Sequence, residues 1–136
     1  MDRTSARIGA IALWALQIAL AAAFILNFGP GKVFGSEQAV QTFADIGAGQ
    51  WLRHLTGALE IAGGIGLLIP RLSGLAALGL AGVMSGAVLA EILFLDADVL
   101  VPLILLAAVL TIAWFRRART VALLGRLQRT SSPVGR

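Results

Sequence analysis

The chain alternates long apolar runs with short polar interruptions, and the lengths of the runs decide what they are. Residues 8–28 form an apolar run of 21 residues broken only by Gln17 and Asn27. As a helix that run is ~31 Å long, enough to cross a hydrocarbon core. It continues beyond the cleavage-like stretch Ala19-Leu20-Ala21, so it reads as a retained transmembrane helix rather than a signal peptide. A second run covers 52–69, with Arg53 and His54 reaching toward the interface. Pro70 ends it, because the residue before a proline is pushed out of the helical region. A third run extends over 72–95, with Ser73 as a candidate cap. Asp98 is placed to cap a fourth, 99–115, and Pro102 falls in its first turn, where a missing N–H costs little.

Between the first two runs, Gly29-Pro30-Gly31 predicts a helix stop and turn. After Ser36, a possible cap, Val40, Phe43 and Ile46 recur at three-residue spacing among Glu37, Gln41 and Asp45. That pattern predicts a short amphipathic helix at the outer interface. Residues 116–129 are amphipathic again, with Val121, Leu123, Leu124 and Leu127 among five arginines, and are expected on an anionic inner leaflet. Residues 130–136 are expected to be disordered. The predicted fold is all-α: an integral membrane four-helix transmembrane bundle with a short interfacial helix in the first outer loop. Its parts are an N-terminus (1–7), a transmembrane domain (8–115) and a basic tail (116–136).

Composition sharpens this picture. At 58% hydrophobic and 13% charged, the chain departs from soluble proteins in the membrane direction, which excludes an ordinary soluble enzyme. Without cysteine there are no thiolate nucleophiles, cysteine-ligated zinc or iron–sulfur clusters, and with one histidine no metal site is expected. The net charge of +4 would suit nucleic acid, but the arginines sit at chain ends and turns rather than on a folded basic face, so no nucleic-acid partner is expected. Four spans put Arg3, Arg7, Arg71, Arg116, Arg117 and Arg119 on one side. The other side has Lys32 and Arg53 with Glu37, Asp45, Asp96 and Asp98. The excess of Lys and Arg marks the side of both termini as cytoplasmic.

Glu60 carries the candidate chemistry. It lies near the middle of the second run, where an ionised carboxylate costs at least ~2.5 kcal/mol, so it must be neutral, paired or facing water. It is either a proton-accepting or ligand-binding group or a protonated acid bonded to a neighbouring helix. Gln17 and Ser85 have similar depth by count and could complete a polar layer with it. Arg53 shares its helical face but lies ~10.5 Å away along the axis, too far for a direct salt bridge. Asn27, Lys32, Arg53, His54, Thr56 and Glu91 belong to the outer half, and with Glu60 they either line an outward-facing polar cavity or simply reach the headgroups. Gly57, Gly63 and Gly64, and the Gly82/Gly86 GxxxG pair, are expected to pack the helices together, with homo-oligomer formation as a second use.

Several segments together resemble one family. They are Gly29-Pro30-Gly31-Lys32-Val33-Phe34-Gly35, Gly49-Gln50-Trp51-Leu52-Arg53, the stretch 57–70 containing Glu60-Ile61-Ala62-Gly63-Gly64, and 76–89. They resemble the DoxX-like family of small four-helix bacterial membrane proteins, with Lys32 and Glu60 as the most specific elements. The resemblance implies a place in the bacterial inner membrane and an association with redox chemistry, since the family takes its name from a subunit linked to a terminal oxidase and thiosulfate:quinone oxidoreduction. Where the third helix of relatives often ends in a histidine, this chain has Glu91, which counts against a histidine-dependent role. The expected function is a redox-associated accessory: it binds a small amphipathic ligand, a quinone or lipid, around Glu60, or docks a redox partner. The alternatives are a quinone-linked oxidoreductase subunit with Glu60 handling the proton, and a small-solute or proton-coupled carrier working as an oligomer.

Overall fold

The computed structural model describes residues 2–131, and every regular element among them is helical. Helix α1 (Arg3–Ala23) passes through a π-helical turn, Phe24–Phe28, directly into α2 (Gly29–Phe34), giving one rod of 32 residues. The expected stop at Gly29-Pro30-Gly31 is therefore not made. A proline inside a helix lacks an N–H and crowds the carbonyl one turn earlier. Here the wider π turn, in which the Gly29 N–H reaches back to the Phe24 carbonyl, lies just before Pro30 and relieves that crowding. The rod stops at Gly35, whose φ of +78° is a left-handed helix end.

The next elements follow the expected punctuation. Ser36 Oγ accepts from the Ala39 N–H at 3.3 Å and opens α3 (Glu37–Ile46), which buries Phe43 and ends at Gly47, also at φ +78°. Helix α4 (Gln50–Leu68) is ended by Pro70, and α5 (Ser73–Ala90) runs into a second π turn, Glu91–Leu95. Asp98 Oδ1 accepts from the Leu100 N–H at 2.9 Å at the start of α6 (Leu100–Phe115). Helix α7 (Arg117–Ser131) leaves α6 at 65°. Two boundaries differ from expectation. Ser73 is the first residue of α5 rather than its cap, and its hydroxyl donates to the Pro70 carbonyl at 3.1 Å across the corner. Thr130 and Ser131 are helical rather than disordered, whereas 132–136 lie outside the described residues.

Helices α1, α4, α5 and α6 touch in a closed ring around Leu20, Phe24, Leu67, Leu80, Met84, Val109 and Ile112. Two stretches are long and apolar enough to cross a membrane, Arg3–Phe34 and Ser73–Leu95, and the bent pair α6 and α7 makes a third if taken together. Helix α4 is not among them, because its 19 residues include Arg53, His54 and Glu60.

The glycines divide into two groups. A Cβ on Gly57, Gly63 or Gly64 would come within 2.9 Å of a neighbouring helix, so these three sit at close helix contacts. Gly82 and Gly86 would meet nothing within 4 Å. The GxxxG pair therefore joins no helices among the described residues; it leaves room on the α5 face.

Candidate functional site

The site begins with an antiparallel match between α4 and the first rod. One stripe of α4, comprising Arg53, Gly57, Glu60, Gly64 and Leu67, is buried. These residues recur at the three- and four-residue intervals that share a helical face. Gly64 lies against Ala21, Phe24 and Ile25, and Gly57 against Gly29, Lys32 and Val33. A Cβ at Gly57 would sit 2.9 Å from the Gly29 carbonyl and 2.8 Å from the Lys32 Cβ. Glycine on both sides thus lets the backbones close. Lys32, one turn on from Gly29, has its Cβ against Gly57, and its side chain runs back along the rod past Phe28 to meet Glu60.

Lys32 Nζ donates to Glu60 Oε1 at 3.0 Å and to Oε2 at 2.9 Å. It also reaches the Phe28 carbonyl at 3.5 Å and lies 5.7 Å from the Phe28 ring centroid. Glu60 is 1% exposed and Lys32 22%, so the lysine is the more accessible member of the pair. Desolvating two charges is costly and is repaid only by close, multiply bonded geometry, which this pair has. Arg53 supports it from behind: its guanidinium donates to the Lys32 carbonyl, takes the space beside Gly35 and is held by Gln50 Oε1 at 2.6 Å. An arginine at the last turn of α2 satisfies a terminal carbonyl and fixes the backbone that carries the lysine.

The pair opens onto a cavity of about 1060 Å³. Asn27, Lys32, Thr56, Glu60 and Glu91 all contribute to its wall. Glu91 Oε2 is a buried acceptor without a hydrogen-bond partner among the described residues. Gly82 and Gly86 form part of the α5 wall, and the missing side chains are what keep the cavity open there. Val83, Met84 and Leu105 supply apolar surface, and α3 closes one side with Gln38, Thr42 and Phe43.

Three expected site residues lie elsewhere. Arg53 is buried behind α2, and His54 is exposed with its Nε2 3.1 Å from Arg53 Nη2. Gln17 is at the far end: it donates to the Leu67 carbonyl at 2.8 Å and accepts from Arg116 Nε at 2.9 Å. Ser85 donates to the Ala81 carbonyl of its own helix. A Gln17, Glu60 and Ser85 layer therefore does not form. Depth counted from residue 8 placed Gln17 at mid-membrane, but the rod runs on to Phe34, and Gln17 lies level with the ends of α4 and α6. Sequence reasoning also missed Gln38 and Thr42 as cavity residues. They lie one turn apart on α3, a spacing that was visible, but nothing in the sequence said which way that face turned.

Neither the curated proteins nor the solved structures compared with the chain gave a match. The model of the DoxX-like family matches residues 15–124, from the packed part of α1 into α7, and the chain belongs to that family.

Proposed function

We propose that the chain is a four-span protein of the bacterial inner membrane, with both termini in the cytoplasm, whose cavity binds a small amphipathic ligand, a quinone or a lipid. The observation that carries this reading is one cavity of about 1060 Å³ joining a few convergent polar groups to a larger apolar wall. Small-molecule sites have that composition and are typically about 300–1,000 Å³. The polar head of the ligand lies among Lys32, Asn27, Thr56 and the unpartnered Glu91 Oε2, and its apolar body along Val83, Met84 and Leu105. Counting α4 as a span is supported by the pairing of Glu60 with Lys32, which lowers the cost of carrying a carboxylate across lipid. Family membership supports a redox-associated setting, in which the chain presents a quinone to a partner enzyme.

The test is to purify the full chain from its native membrane in mild detergent and identify co-purifying small molecules by mass spectrometry. Gly86→Leu fills the cavity and leaves the Lys32–Glu60 pair untouched, so a folded variant should lose the ligand. If wild type carries none, or if Gly86→Leu and Glu91→Gln both retain it fully, the cavity is not the binding site.

A further inference from the structure

A second recess lies at the opposite end of the molecule. It measures about 230 Å³ and sits between the Pro70–Arg71 corner joining α4 to α5 and one face of α7. Arg71, Arg119 and Arg126 surround it, and Ala122 and Leu123 form its apolar side. On α7, positions 119, 122, 123 and 126 fall on one helical face. That stripe is apolar in the middle and cationic at both ends, and Arg71 closes the triangle from another element.

No ion pair among the described residues offsets this charge. The one ion pair among the described residues is Lys32–Glu60, in the other half of the protein. Arg119 Nη1 donates to the Pro70 carbonyl at 3.2 Å, which holds it at the rim of the recess. Beside it, Arg116 is 9% exposed, and its Nη2 has no partner among the described residues. Burial, and then the charge of Arg119, lower the Arg116 pKa from its ordinary value. A row of exposed arginines alone is a solvated face. Three guanidinium groups from two elements around an apolar-walled recess make a binding geometry. Guanidinium forks match tetrahedral oxyanions bidentately, and an adjoining apolar wall suits an acyl chain.

We propose that this recess binds a phosphate group, that of an anionic lipid, with Arg71, Arg119 and Arg126 around the phosphate and the lipid chain along Ala122 and Leu123. The site is separate from the cavity and does not depend on what the cavity holds.

The test uses the full chain in a neutral detergent, titrated with phosphatidylglycerol or phosphatidylcholine of identical chains and read by native mass spectrometry. Phosphatidylglycerol should be retained at least about tenfold more than phosphatidylcholine. The preference should vanish in Arg71→Gln/Arg119→Gln/Arg126→Gln and survive in Arg3→Gln/Arg7→Gln/Arg129→Gln, which removes the same charge elsewhere. Leu123→Trp, which fills the recess with its arginines intact, should also abolish it and covers the case in which the first triple variant fails to fold. Millimolar inorganic phosphate separates the sources. Failure to displace the lipid supports a lipid ligand, and full displacement supports the same phosphate site serving a soluble phosphate compound. Equal retention of the two lipids, or equal loss in the two triple variants, overturns the proposal.

Discussion

The Glu60 carboxylate accepts from one atom, Lys32 Nζ, through both of its oxygens, at 3.0 and 2.9 Å, across 28 residues of sequence. Removing one partner of such a pair strands a buried charge, at a cost of about 3–5 kcal/mol, whereas replacing both by apolar groups is often nearly neutral. Lys32→Met and Glu60→Leu should each destabilise the protein by about that amount, and the double variant by much less than their sum. Denaturant unfolding in detergent measures this. Additive single effects would show that the pair is not coupled as described.

The approach of α2 to α4 depends on absent side chains. Gly57→Ala places a Cβ 2.8 Å from the Lys32 Cβ and 2.9 Å from the Gly29 carbonyl, and backbone cannot step aside cheaply. It should cost about 1–3 kcal/mol. Gly79→Ala meets nothing within 4 Å and should be neutral or stabilising by up to about 1 kcal/mol, from helix propensity alone. Thermal unfolding of the two variants side by side checks the contrast, and equal effects would contradict the close crossing.

Arg53 acts on the cavity through Lys32. Arg53→Ala removes the cation from the end of α2, and the amides around Gly35 and Ser36 should exchange with solvent faster while those of α5 are unchanged. Hydrogen–deuterium exchange reads this, and unchanged protection at the α2 end would remove Arg53 from its positioning role.

At the far end, Gln17 joins three elements through Leu67 and Arg116. Gln17→Leu leaves a buried carbonyl and a buried guanidinium N–H without partners and should cost about 1–3 kcal/mol. A variant as stable as wild type would show that water or lipid replaces the amide.

The proposed orientation predicts that a reporter fused after Arg136 is active only in the cytoplasm. Activity outside the membrane would reverse the assignment of the inner and outer faces.

How far the sequence could be read follows the range of each interaction. The Ser36 and Asp98 caps, the stop at Pro70 and the amphipathic α3 were legible, because each depends on a few neighbouring residues. Glu60 was legible as a residue needing a partner, but the partner was not. Counting depth suggested Gln17 and Ser85, and reading Gly29-Pro30-Gly31 as a turn put Lys32 in a loop. A π turn inserts about one extra residue, which carries the helix past the proline and rotates everything beyond it by roughly 100°. That local change puts Lys32 on Glu60.

The sequence by itself determined the membrane setting, the apolar runs and the presence of one carboxylate deep within them, because burial in lipid is written in composition and run length. Tertiary structure decided which small residues bring helices together and which keep them apart. Gly57 and Gly82 look alike along the chain, yet one is in contact with α2 and the other faces a cavity. Only the relative rotation of packed helices, set jointly by every contact along their faces, separates the two.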